Sequence, residues 1–244
     1  MTESIAASLN QAASGLYLAE RLNLARSSIA GRLMFTTSFG LEDQVLTHAL
    51  CSADLDIDIV TLDTGRLFAE TYDVWAQTER RYGRRIASVS PDAPALERLV
   101  AAQGINGFYD GTAQRQACCG ARKIEPLGRA LAGASGWITG LRAGQSAERD
   151  GVPFALLDVA RRLLKLNPLH DRTRDSLLAD AEAFDIPVNA LHAKGFLSIG
   201  CAPCTRALRP GEPERAGRWW WEDAAAKECG LHVGADGKLQ RVLA

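Results

Sequence analysis

"RLMFTTSFGLEDQVLTHAL", residues 32–50, decides the fold. Leu33 to Thr37 is an apolar, strand-forming run. Ser38-Phe39-Gly40 breaks it, and from Leu41 the apolar residues return at helical spacing. That is a strand running through a glycine turn into a helix, the opening of a βαβ unit. "IDIVTLDTG" (57–65) repeats the device, with a helix over about 67–82 behind it. "RRIASVS" (84–90) reads as a third strand. A helix near 93–102, a glycine-rich loop near 104–111 and a helix from about 114 follow. "GWITGLR" (136–142) and "RRLLKLNPL" (161–169) supply strands four and five. Strands alternating with helices imply right-handed crossovers and an α/β, Rossmann-like parallel sheet with flanking helices. Such sheets bind ligands beyond the C-terminal ends of their strands, at a switch in strand order. Three polar turns lie at such ends: "TTSFGLED", "TLDTGRL" and "TGLRAGQS".

The 244 residues suit residues 1–190 as an α/β domain and 191–244 as a loop-rich C-terminal extension folding back on it. A net charge of −1 gives no general attraction to nucleic acid or an anionic membrane. No apolar run reaches transmembrane length, and "MTESIAASLNQAASG" has no signal-peptide pattern, so the cytoplasm is the expected address. Cysteines there serve metals, catalysis or packing more often than disulfides.

Cys118 and Cys119 are adjacent in "QRQACCGARKIEPL", and Cys201 and Cys204 stand in "CAPC". Two pairs of soft ligands suit Zn²⁺ or an iron–sulfur cluster. A redox dithiol and unligated thiols are the competing readings. Four thiolates on a cubane leave a charge of about −2, which nearby cations stabilise. Spacing of i, i+4 sets Arg122 near Cys118 and Lys123 near Cys119. A solvated basic face is the expected role of Arg122, and Pro126 should bend or restart the helix.

These residues resemble assimilatory adenylyl-sulfate reductase, within the phosphoadenylyl-sulfate reductase family. The resemblance rests on "TTSFGLEDQVL", "LDTGRLFAETY", "CCGARKIEPL", "GLRAGQS", "CAPCTRAL", "GRWWWE" and "KECGLH", spread over residues 32 to 233. It implies an adenine nucleotide α-hydrolase-like fold and a [4Fe–4S] cluster on Cys118, Cys119, Cys201 and Cys204. It implies reduction of adenylyl sulfate to sulfite and AMP with thioredoxin as reductant, on the way from sulfate to cysteine. Cys229 of "KECGLH" would be the nucleophile, passing through S-sulfocysteine, with Lys227 favouring its thiolate. Arg215 and Arg218 would hold the phosphosulfate, joined by Lys123. "GLRAGQS" departs from its relatives in having Arg142 as its only cation.

Further substrate-binding candidates are Ser38, Phe39 and Gly40 in the first turn, and Leu62, Asp63, Thr64, Gly65 and Arg66 in the second. Backbone N–H groups in such turns can hold an anion or a nucleotide edge, although plain turn chemistry also uses these residues. Arg142 and Gln145 lie beyond the fourth strand. Trp219–Trp221 reads as packing, Cys51 as a core residue, and His48, His170, His192 and His232 as structural. Three rivals stand beside this reading. One is phosphoadenylyl-sulfate reductase, and another is an adenylating enzyme such as a tRNA thiolase, whose SGGxDS loop "TSFGLED" lacks. The third is a metal-stapled nucleotide-binding module that would be indifferent to Cys229. A homo-oligomer remains open.

Overall fold

The computed structural model describes residues 2–146 and 149–222. Cys229, Lys227 and His232 lie outside the described residues. Two helices, α1 (Thr2–Ala12) and α2 (Leu18–Ser28), precede β1 (Arg32–Thr37), α3 (Leu41–Ser52), β2 (Asp58–Leu62) and α4 (Ala69–Tyr82). Then come β3 (Ala87–Val89), α5 (Ala93–Gln103), α6 (Thr112–Cys119), α7 (Glu125–Ala130) and β4 (Ala134–Ile138). A short hairpin, β5 (Ala155–Asp158) and β6 (Leu163–Leu166), and α8 (Arg174–Ala183) follow.

The strands form one sheet in the order β3-β2-β1-β4-β6-β5. All neighbours are parallel except β5, which runs antiparallel to β6 at the edge. This is the parallel α/β sheet expected from the alternation. The fifth strand read at 161–169 is β6, and a further strand, β5, went unread because "FALLDV" supplies only four sheet residues. The chain turns back between Asp158 and Leu163, where Arg162 takes a positive φ of 55°. Asn10 of α1 guards that edge: its side chain exchanges two 2.8 Å hydrogen bonds with the backbone of Ala155.

Both faces of the sheet are covered, so its central strand is apolar on both sides. Leu33 and Phe35 of β1 face the larger core, with Leu22, Leu46, Leu50 and Leu177. Met34 faces a second core with Val60, Leu127 and Trp137. Strand order reverses between β1 and β4, so the C-terminal ends of these two strands splay apart there. After α8 the chain returns across those ends in short turns at Ala190–Lys194 and Ala202–Cys204. A single antiparallel bridge, Thr205 to Arg218, ties that segment to itself. Among the described residues no helix is long and apolar enough to cross a membrane.

Candidate active site

A cleft of about 190 Å³ opens at the switch point. Thr36, Thr37 and Ser38 come to it from β1, Thr61, Leu62 and Thr64 from β2, and Thr139 and Gly140 from β4. Lys123 forms part of another wall, and Leu197 to Gly200, Glu214, Arg215, Arg218 and Trp219 form the roof. Of the residues singled out in the sequence, Ser38, Gly40, Leu62, Thr64, Lys123, Gln145, Arg215 and Arg218 therefore meet in one space.

The other candidates lie off it. Phe39 is fully buried at φ 58° and stacks on Trp75, which shapes the turn from beneath. Asp63 closes its own turn, accepting from the Gly65 N–H (2.9 Å) and the Tyr72 hydroxyl (2.8 Å). Arg66 turns toward the cysteines, with its guanidinium 5.1 Å from the Phe108 ring centroid. Arg142 is 2% exposed and its charge is spent: Nε donates to Glu42 (2.8 Å) and Nη2 to both oxygens of Glu214 (2.9 Å). Burial opposes ionisation of both acids; Arg142 brings Glu42 below its ordinary pKa, whereas burial wins at Glu214.

Asp43 opens onto the cleft at the first turn of α3. Burial pushes its carboxyl up to about 7, although the Ser38 N–H (2.5 Å) and Oγ–H (2.8 Å) both donate to it. Gly140 makes room for it, since a Cβ there would sit 2.3 Å from Asp43 Oδ1. An acid with its pKa raised on folding holds a proton that the unfolded chain has released. Stability should therefore fall as pH rises from about 4 to 7, by up to ~1.4 kcal/mol per unit. Denaturation midpoints measured across that range should decline in the wild type and stay flatter in Asp43→Asn.

The four cysteines surround a second, smaller space next to the cleft. Cys118 and Cys119 reach it from the end of α6, and Cys201 and Cys204 from the turn after α8. Local sequence explains the first pair's setting. Pro126 has no N–H to continue the α-helical ladder, and the chain widens into a π turn over Gly120–Ile124. There the Glu125 N–H reaches back five residues to Gly120 O. The helix restarts at Glu125, as Pro126 foretold. Arg122 is not on a solvated face: it is 6% exposed, and Nη1 donates 2.6 Å to Thr64 O. Burial of the sheet-facing side of the π turn overrides its polar composition. Thr64 also places its Oγ1 3.3 Å from Cys201 Sγ, so the second glycine turn touches both spaces.

Burial alone would raise the Cys201 thiol, yet Lys123, the Thr64 hydroxyl, Arg218 and Arg122 together hold it below its ordinary value. Burial and the neighbouring Cys201 push Cys204 up to about 12. Burial also raises Cys118, which Arg122 partly relieves. The lining of this space holds Arg66, Arg115, Arg122, Lys123 and Arg218, and no carboxylate. Arg122 Nε, Arg218 Nε and Trp219 Nε1 are buried donors without an acceptor. Cations and orphaned donors around four thiols fit an anionic thiolate-bound group. Among the described residues no three His, Cys, Asp or Glu side chains are arranged to hold a single metal ion. The pocket is a ring of thiols around a space.

Trp219 (1% exposed, φ 42°) and Trp221 pack against Phe108 and Cys118, which fits the packing role read from the sequence. Cys51 packs against the main core. His192, read as structural, lines the cleft, and its Nδ1–H donates to Phe196 O (2.8 Å), leaving Nε2 as a buried, unmatched acceptor. No ligand spacing marks it in the sequence.

A sheet with its cleft at the switch point and a cationic thiol pocket alongside defines a class, and comparison with known proteins gives it a family. The family model described as the phosphoadenosine phosphosulfate reductase domain matches residues 32–207. The chain belongs to that family and is an oxidoreductase. The adenosine 5′-phosphosulfate reductase of Sinorhizobium fredii is 54% identical over 231 residues, 95% of this chain and 92% of that one. The protein of the same name from Allochromatium vinosum is 50% identical over 82% of this chain and 78% of its own. Among solved structures, the phosphoadenylyl-sulfate reductase of Candida auris in its phosphate complex superposes with a TM-score of 0.73 at 22% identity. That match covers 84% of this chain and 98% of the other, and it carries the fold.

Proposed function

We propose that the protein reduces adenylyl sulfate to sulfite and AMP, with Cys229 as nucleophile and thioredoxin as reductant. The observation that carries this reading is that Lys123, Arg218 and Trp219 line both the cleft and the thiol pocket. A phosphosulfate lying against Lys123 and Arg218 would sit at the border of a cationic, water-poor space, where fixed charge stabilises a leaving phosphate most. Arg215 adds a third cation to the cleft wall. Arg142 has a different part, holding Glu42 and Glu214 in the wall.

The Cys229 thiolate attacks the sulfur of the mixed anhydride. A sulfur–sulfur bond forms, the sulfur–oxygen bond to phosphate breaks, and AMP leaves with that electron pair. One thioredoxin thiolate then attacks the Cys229 sulfur and releases sulfite, and its second thiol resolves the mixed disulfide. The dithiol supplies the two electrons. Cys118, Cys119, Cys201 and Cys204 would hold a [4Fe–4S] cluster, which supplies a fixed field next to the substrate. The cationic lining and the orphaned donors described above support that assignment.

Sulfite release by anaerobically purified protein tests the reading, with adenylyl sulfate and its 3′-phosphorylated form run side by side. Adenylyl sulfate should be turned over faster, in line with the substrate named for relatives at 50–54% identity. Equal or faster turnover of the phosphorylated form would transfer the assignment to that substrate. Lys123→Ala should still form the covalent adduct, about 10²–10³-fold more slowly, as loss of one charge-stabilising contact does. Rapid-quench measurement of adduct formation checks this.

A further inference from the structure

Behind the thiol pocket stands an ion pair that the reaction does not use. Arg115 of α6 is 0% exposed, and Glu222 is 6% exposed. Arg115 Nε donates to Glu222 Oε1 and Nη2 to Oε2, each at 2.8 Å, a two-pronged match of guanidinium to carboxylate. The guanidinium also lies 4.8 Å from the Trp219 ring centroid. Glu222 occupies two of its five N–H groups, and the Cys119 thiol lies in hydrogen-bonding reach of the same side chain. One buried arginine thus joins the α6 cysteine pair to the chain that follows the CAPC turn. Two backbone bonds hold the far end of this link: Trp219 N–H to Cys204 O (3.1 Å) and Glu222 N–H to Trp219 O (2.9 Å).

Charge explains why an acid stands there. Five cations line a pocket whose own lining has no carboxylate. Arg115 carries a carboxylate fork, and removal of that carboxylate would leave its charge buried against its neighbours. We infer that Arg115 and Glu222 form a positioning pair that fixes Cys119 against the CAPC turn and so assembles the four-thiol site. Both residues act through Cys119 and the fold of the pocket; neither touches substrate. The inference rests on the four cysteines holding an iron–sulfur cluster, as proposed above.

The test compares wild type, Glu222→Gln and the double variant Arg115→Met/Glu222→Leu, all purified anaerobically. The readouts are iron content, the visible and EPR spectra, the rate of iron release to a chelator, and the melting temperature. Glu222→Gln should melt lower and release iron at least about tenfold faster, the scale on which partners behind metal ligands act. The double variant replaces a buried pair by apolar side chains and should recover most of the melting temperature. Its spectrum should stay shifted and its iron release fast, because Cys119 has lost its partner. Recovery of wild-type spectrum and iron retention along with the melting temperature would reduce the pair to a packing element and overturn the inference. That failure is distinct from failure of the cluster itself, which would appear as a wild type without iron.

Discussion

Cys229→Ser is expected to bind adenylyl sulfate and keep its iron, yet release no sulfite. The expectation follows from a division of labour in the chain. Four of the six cysteines surround the cationic pocket, and Cys51 packs into the core. That leaves Cys229 for the covalent bond of the proposed reaction. The reaction needs such a bond, because sulfur in the anhydride must accept an electron pair from a nucleophile before AMP departs. A serine hydroxyl is a far poorer nucleophile at neutral pH, so the drop should reach background. Mass spectrometry without thioredoxin gives the direct reading. Wild type should gain about 80 Da, one SO₃ unit, on the peptide containing "KECGLH", as a covalent nucleophile requires. The variant should gain nothing. An adduct on Cys201 or Cys204 would show that the CAPC pair is a redox dithiol and that the roles are reversed.

The strand–turn–helix reading of residues 32–50 and 57–82 carried most of the fold, because in both stretches the hydrophobic period changes at a glycine turn. The same turns put Ser38, Gly40, Leu62 and Thr64 into the cleft. Less legible were the elements whose signal is tertiary. The edge strand at Ala155–Asp158 is four residues long, and the outer backbone groups of its Ala155 are met by Asn10, 145 positions away in sequence. The α8 helix carries a local mark that could have revealed it. Thr173 caps it, accepting from the Ser176 N–H (3.2 Å), and Leu177 and Ala181 repeat at i, i+4 on the buried face. Arg142 shows the limit from the other side. Its position beyond β4 was legible, but whether an arginine faces a ligand or two carboxylates depends on Glu42 and Glu214, which are 100 and 72 residues distant. Arg122 likewise read as surface because a π turn, not an α turn, decides which way it faces.

Replacing any one of Cys118, Cys119, Cys201 or Cys204 by serine should strip the proposed cluster and most activity together. Cys201 makes the sharpest case. Lys123, the Thr64 hydroxyl, Arg218 and Arg122 bring its thiol below the ordinary value against burial, so its surroundings favour negative charge on that sulfur. A serine keeps the hydrogen bond with Thr64 but stays neutral and hard, and iron in a sulfide cluster prefers a thiolate. Loss of the bound anion also removes the counter-charge from five cations packed around a small space, so the melting temperature should fall as well. Wild type should be brown, with about four irons per chain, as a cubane requires. The four serine variants should be nearly colourless and iron-poor, and cleft binding of AMP should survive best in Cys118→Ser, where the replaced thiol is the least buried of the four. Active protein with stoichiometric zinc and no iron would discard the cluster. Full iron in any one serine variant would remove that cysteine from the ligand set.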